Sequence, residues 1–259
     1  MNPGSTTIPN ITLSVVSHGH GKLIAELFAD IRQKVTSPVR VILTINRPEP
    51  EERWAEEQFP FEITVVRNSS PKGFGANHNA ALAKTQSEFF CVLNPDIRLQ
   101  TDPFPVLVSQ LADEGCGAAA PLILGPDLSP EDHARDFPSV FALAAKAMGR
   151  RHSTTPPKGE PTYHPDWIAG MFMVFRSAVI RSVGGFDERY FLYYEDVDLC
   201  ARLRENRLEV TVCTTVSAIH AARRESRRNL RFAAWHLRSA LRFLASYPRM
   251  ALGFGRRHP

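Results

Sequence analysis

The chain's 259 residues suffice for one large domain or a domain with an appendage, and 43% hydrophobic with 22% charged residues is an ordinary soluble globular composition. No run of 18 apolar residues occurs, so no transmembrane helix is expected, and residues 1–10 lack the basic and apolar regions of a secretory signal, so the cytoplasm is the expected compartment. The net charge of +4 conceals an asymmetry: residues 221–259 hold ten Arg and one Glu, a balance of +9, which leaves −5 for the remainder. Such a tail suits either an anionic partner or a solvated helix face. Cys91, Cys116, Cys200 and Cys213 are scattered, fit no metal-ligand spacing and read as reduced core thiols.

The first half alternates between two periodicities. Strands are predicted over 11–17, 39–45, 61–67, 88–93 and 116–124, and helices over 22–34, 49–58, 75–84 and 102–111. Short connections between them argue for a mainly parallel α/β sheet. Residues 125–166 hold seven prolines and little periodicity outside 137–148, and read as a variable excursion. A buried strand is expected over 167–175, a short helix over 177–183, and late strands over 208–212 and 216–219. From 228 to 247, apolar residues recur at Leu230, Ala234, Leu237, Leu241 and Leu244, which predicts an amphipathic helix with Arg231, Arg238 and Arg242 on its other faces.

The richest segment is 184–204. Glu195, Asp196 and Asp198 follow the aromatic run Tyr190, Phe191, Tyr193, Tyr194 and open a stretch of helical spacing. Carboxylates there could cap the helix or, beside aromatics, be tuned as a general base. Other polar segments fall where a parallel sheet places ligands, beyond the carboxyl ends of strands: Ser17–His20, Asn46–Pro48 and Asn94–Asp96. Lys72-Gly73-Phe74-Gly75 opens a helix; its glycines permit close backbone approach to an anion, or simply a tight turn. Asp96 at a strand end could hold a hard divalent cation, or belong to an ordinary Asn-Pro-Asp turn. His220 could complete that site or be a surface histidine, and the arginines at 223, 224, 227 and 228 could clamp a diphosphate.

In order, Lys-Gly-Phe-Gly-x-x-x-Asn (72–79), Leu-Asn-Pro-Asp (93–96), Trp-Ile-Ala-Gly-x-Phe-Met (167–173), Gly-Gly-Phe-Asp-Glu through Glu-Asp-x-Asp-Leu-x-x-Arg (184–202) and a late His resemble the family 2 glycosyltransferases of GT-A fold, most of all their bacterial rhamnosyltransferase branch. The resemblance covers roughly residues 11–245. It implies a Rossmann-like, mainly parallel mixed sheet flanked by helices, with a GT-A domain at 1–222 and a basic helical extension at 223–259. It implies inverting transfer of a sugar from a nucleotide diphosphate to an acceptor hydroxyl, with Asp196 as base beside Glu195. Asp96 and His220 would hold Mg²⁺ or Mn²⁺. Ser17, Asn46, Lys72, Gly73, Phe74, Asn79, Asn94 and Arg224 would border the donor, and Trp167 and Gly170 the sugar and acceptor. The closest branch points to dTDP-L-rhamnose, with UDP-sugars second, and to a glycan or polyprenyl-linked acceptor at the inner membrane face, where the Arg-rich helix would meet anionic lipid; no nucleic acid is expected.

Two departures stand out. Position 46 is Asn where the family usually has Asp, and Asn94 replaces the first acid of Asp-x-Asp, which removes one charge from the metal site. Two other classes compete: a sugar-phosphate nucleotidyltransferase, which would want Arg and Lys in a Gly-rich loop where His18-Gly19-His20-Gly21 stands, and a non-catalytic glycan- or anion-binding protein, which gives no reason for Glu195, Asp196 and Asp96 to coexist.

Overall fold

A computed structural model describes residues 10–49, 54, 57–141, 159–221 and 230–252. One sheet organises them. Strands β1 (Ile11–Ser17), β2 (Val39–Ile45), β3 (Glu62–Arg67) and β4 (Phe89–Leu93) run parallel in the order β3-β2-β1-β4. Beyond β4 lie β10 (Phe172–Arg176), β6 (Cys116–Leu124), β11 (Glu209–His220) and β5 (Ile97–Leu99). There β10 is antiparallel to both neighbours, β6 and β11 are parallel, and β5 is antiparallel to β11. The short β8 (Thr162–Tyr163) pairs with β11, and β7 (Ala134–Arg135) pairs with β9 (Trp167–Ile168) in a separate ribbon. The mixed α/β sheet is as expected.

The side-chain alternation of a strand sends successive residues to opposite faces. In β4, Phe89, Cys91 and Leu93 join one core, while Phe90 and Val92 join the other. The first core is closed by α1 (Gly21–Lys34), through Ile24, Leu27, Phe28 and Ile31, and by α3 (Phe104–Gln110). The second is closed by α2 (Phe74–Lys84), α4 (Ser177–Ser182), α5 (Glu195–Glu205) and α6 (Leu230–Ser246), with α7 (Pro248–Ala251) after it. Coverage of both faces explains why β1 is buried along its whole length and reads as a continuous apolar run.

Three expectations need correction. The strand expected over 167–175 is two pieces, because Ala169-Gly170-Met171 leaves the ladder between β9 and β10. The two late strands are one, β11, whose register against β6 shifts between Cys213 and Ser217. In α6 the buried face is Ser239, Ala240 and Phe243, while Leu237 and Leu241, expected inside, are exposed. The helix expected over 49–58 and the periodicity over 137–148 fall largely outside the described residues. All four cysteines are free and buried, as expected. No described helix is long and apolar enough to cross a membrane.

Candidate active site

The carboxyl ends of β1, β2 and β4 lie side by side, and the ends of β11 and of the 167–171 segment meet them. Ser17, the last residue of β1, donates its hydroxyl to Glu49, which also accepts the N–H groups of Gly19 (3.1 Å) and Gly21 (2.9 Å). Glu49 thus occupies the N-terminus of α1, whose exposed N–H groups favour an anion. Asn46, buried at the end of β2, binds the Lys72 backbone at both ends: its Oδ1 accepts Lys72 N–H at 2.8 Å and its Nδ2 donates to Lys72 O at 2.9 Å. Asn68 bridges Asn46 and Asn77, at 2.7 Å each. Position 46 therefore shapes the loop at 72, leaving the Lys72 side chain exposed. His18 beside it is neutral: burial first, then the neighbouring charges, lower it to about 4.

Gly73 brings that loop against the aromatic segment before α5. A Cβ there would lie 2.8 Å from Phe191 O, and Phe74 N–H donates to the same carbonyl at 3.1 Å. Asn79 clasps the loop from the other side, accepting Phe186 N–H and donating to Phe186 O, at 2.8 Å each. Phe74 and Asp196 flank Gly170, where a Cβ would meet the Phe74 ring at 2.9 Å and Asp196 Cβ at 3.7 Å.

Tyr193 and Tyr194 both have φ of +69°, a left-handed turn that L residues avoid at roughly 1–2 kcal/mol each. The turn points the first residues of α5 toward Gly170. Asp196 Oδ2 accepts Gly170 N–H at 3.0 Å and Oδ1 accepts Val197 N–H at 2.8 Å. Glu195 is buried next to it, and its Oε2 has no hydrogen-bond partner among the described residues. Burial raises both carboxyls; two N–H donors pull Asp196 back, whereas the Asp196 charge pushes Glu195 further, well above the ordinary range. The pair is therefore unequal: Asp196 has the N–H donors that favour its charged form, and Glu195 has burial and a neighbouring charge against its own. Asp198 stands apart: its Oδ2 accepts Arg202 Nε–H at 2.9 Å and its Oδ1 accepts the Tyr247 hydroxyl at 3.0 Å, so it fastens α5 to the C-terminal segment.

Asp96 and His220 are brought together by the pairing of β5 with β11, with His220 Nε2 3.3 Å from Asp96 Oδ2. The other nitrogen, Nδ1, lies 2.7 Å from Glu131 Oε2. Burial opposes a charged ring, but Asp96 and Glu131 outweigh it and raise His220 to about 9. Burial likewise raises Asp96, and His220 more than reverses this. Asp96 Oδ1 is buried without a hydrogen-bond partner among the described residues. An orphaned carboxylate oxygen beside an imidazole fits a divalent cation. Among the described residues no group of three or more His, Cys, Asp or Glu forms a complete metal site. Asn94 follows β4 and donates its N–H to Met171 O at 2.9 Å, which joins the Asp96 turn to the Gly170 segment.

Most predicted site residues thus share one edge of the sheet. Trp167 lies in β9, its indole donating to Asp136 O at 3.0 Å and the Arg135 guanidinium 5.7 Å above its ring. Arg224 falls outside the described residues. Glu49 and Glu131 were missed; each acts through partners roughly 30 to 90 positions away. Cavities lined by Asp166, Cys200, Arg204 and Glu209 or by Asp113 and Thr211 lie near the amino ends of β6 and β11, away from these residues.

A model of glycosyl transferase family 2 matches residues 13–181. Rhamnosyltransferase WbbL of Escherichia coli (strain K12) is 33% identical over 187 residues, 67% of this chain and 70% of that protein. The N-acetylglucosaminyl-diphospho-decaprenol L-rhamnosyltransferase of Mycobacterium tuberculosis (strain ATCC 25618 / H37Rv) is 28% identical over 253 residues, 89% of this chain and 82% of that protein. Two solved structures share the fold at low identity. GalNAc-T7 with UDP, GalNAc and Mn²⁺ superposes with a TM-score of 0.72 at 13% identity, over 93% of this chain but 48% of the other. The mannosyltransferase PcManGT of Pyrobaculum calidifontis, in complex with GDP-Man and Mn²⁺, gives 0.63 at 16%, over 96% and 74%.

Proposed function

The chain belongs to glycosyl transferase family 2, in its rhamnosyltransferase-like branch, and from that premise we propose an inverting transfer of L-rhamnose from dTDP-L-rhamnose to a hydroxyl of a lipid-linked glycan. The observation that carries the mechanism is the split of one carboxyl pair. Asp196 accepts the N–H groups of Gly170 and Val197, which favour its charged form, while Glu195 is buried and its carboxyl is raised well above the ordinary range by burial and by the Asp196 charge.

Asp196 takes the proton of the acceptor hydroxyl as that oxygen attacks the anomeric carbon opposite the diphosphate. A single displacement needs no covalent nucleophile. Glu195 is buried behind Asp196, where burial disfavours its charged form and leaves Asp196 as the base. The Phe74 ring against Gly170 and the backbone of 72–74 shape the space where donor and acceptor meet. Asp96 and His220 would hold a divalent cation, whose chemistry is to neutralise charge on the departing diphosphate. Glu131 holds the His220 ring in orientation.

Support for the donor comes from the two rhamnosyltransferases, and for the acceptor class from the decaprenol in the mycobacterial protein's name. The experiment is a thermal-shift series with dTDP, UDP, GDP, CDP and ADP, with and without Mn²⁺ or Mg²⁺. Binding to the native state raises its stability by mass action. Selective stabilisation by dTDP, deepened by metal and lost in Asp96→Ala, is the expected result. Stabilisation by UDP alone would replace the donor, and no shift with any nucleotide at millimolar concentration would contradict the reading.

A further inference from the structure

Residues 133–136 are laced to the segment that holds the base. His133 O accepts Ala169 N–H at 2.7 Å, Ala134 and Arg135 pair with Ile168 and Trp167, and Asp136 O accepts the Trp167 indole N–H at 3.0 Å. The next residue of that segment, Gly170, gives its N–H to Asp196. Backbone bonds thus fix position 135 near the base before its side chain makes any contact.

The Arg135 side chain is then held on two further sides. Its Nε and one Nη donate to the two oxygens of Asp132, at 2.5 Å each, and its guanidinium lies 5.7 Å from the centre of the Trp167 ring, over its face. A guanidinium carries five N–H donors in a planar fork that matches a carboxylate or a phosphate. Asp132 occupies one edge of that fork, and Nη1, on the far edge, has no hydrogen-bond partner among the described residues. Stability does not account for the arrangement: the two side chains are 36% and 40% exposed, and such a pair contributes about 1 kcal/mol or less. A guanidinium oriented on one edge and one face, with its outer edge open, is prepared for an oxyanion.

The position decides whose oxyanion it is. In the proposed reaction the donor diphosphate departs toward Asp96 and His220, and the acceptor enters opposite it, on the side of Asp196. Arg135 belongs to the acceptor's side. Burial raises both the Asp196 carboxyl and the Tyr194 hydroxyl, and the Arg135 charge opposes it in each. An acceptor phosphate arriving there without Arg135 would meet the like charge of the base.

We propose that Arg135 is an acceptor-specificity residue, whose free guanidinium edge binds a phosphate of the diphosphate that joins the acceptor sugar to its lipid. Asp132 and Trp167 hold the fork in place for it. The inference rests on the proposed reaction for the acceptor's place beside Asp196, and it names the acceptor's anionic group.

The test compares two acceptors with the same sugar, N-acetylglucosaminyl-diphospho-geraniol and the uncharged octyl N-acetylglucosaminide. Arg135→Gln should raise KM for the diphosphate acceptor by about 10- to 100-fold and leave KM for the uncharged one and the unfolding temperature unchanged. Any effect through Asp196 would appear in kcat with both acceptors alike. Arg135→Lys, which keeps the charge and loses the fork, should fall between. Equal KM changes for the two acceptors, or none, would overturn the inference. A second readout needs no turnover: calorimetric titration of geranyl diphosphate into the full chain saturated with dTDP and Mg²⁺, where Arg135→Gln should weaken binding by a similar factor. Equal affinity of wild type and variant would overturn the inference. So would a loss confined to inorganic diphosphate, with both acceptor KM values unchanged, which would mark a site for the free anion. A wild type that binds geranyl diphosphate through Arg135 yet transfers to neither acceptor counts only against the proposed reaction.

Discussion

Glu131 Oε2 lies 2.7 Å from His220 Nδ1, while the opposite nitrogen of the same ring faces Asp96 at 3.3 Å. Glu131 comes from the proline-rich excursion and His220 from the end of β11. Between these two carboxylates the ring is raised to about 9 and holds its charge; with Nδ1–H donated to Glu131, the proton a divalent cation would displace is the one on Nε2, toward Asp96. A residue from the least regular part of the chain thereby orients a residue at the end of a central strand.

Glu131 should therefore control metal affinity. Glu131→Ala is expected to weaken Mn²⁺ binding in the presence of dTDP by about 10- to 100-fold, with Glu131→Gln retaining more because its amide oxygen still accepts the ring N–H. Calorimetric titration of Mn²⁺ reads this directly. Unchanged Mn²⁺ affinity in Glu131→Ala would remove the positioning role.

Glu195 gives a stability that depends on pH in a fixed direction. Its carboxyl is raised by burial and by the Asp196 charge. Above the unfolded value of about 4.3 the unfolded chain releases this proton while the native protein keeps it, so stability falls as pH rises through that window. Glu195→Gln abolishes the titration in a similar shape. Unfolding free energies from denaturant titrations at rising pH above about 4.3 should fall less steeply in the variant, by up to about 1.4 kcal/mol per pH unit. Parallel slopes would mean that Glu195 titrates normally in the folded state.

Tyr247 fastens the C-terminal segment to α5 through a 3.0 Å bond to Asp198, and its ring packs 4.9 Å from that of Phe243. Tyr247→Phe retains the ring and deletes the bond. A loss of about 1.5–3 kcal/mol is expected, because the acceptor is a charged group left short of a donor. Arg202 remains on the other oxygen, so dTDP binding at saturating concentration should be unchanged. A variant as stable as the wild type would show that this latch contributes nothing.

Much of this was legible in the sequence because two-sided burial leaves a local mark. β1, β2 and β6 have the predicted boundaries, since strands covered on both faces are continuous apolar runs. The segment 167–175 has that same mark, yet Gly170 leaves the ladder to give its N–H to Asp196, a tertiary bond that periodicity cannot register. Cys213–Ser217 reads as a break between strands but is a register shift within one. In α6 the periodicity was correct and the face was not: Leu237 and Leu241 share a stripe, but Phe243 and Tyr247 supply the aromatic surface that the second core takes up. Glu195, Asp196, Asp96 and His220 could be named from motif order, whereas Glu131 could not, since its only signal is a bond spanning 89 positions.

The most direct test of the central claim is turnover of a nucleotide-sugar donor by Asp196→Asn, measured beside Glu195→Gln. The amide can still accept Gly170 N–H but cannot take the acceptor's proton. Turnover of Asp196→Asn should fall by about 10²- to 10⁴-fold with donor binding retained, and Glu195→Gln should keep most of its rate. Near-normal turnover by Asp196→Asn, or a collapse confined to Glu195→Gln, would contradict the assignment of Asp196 as the base.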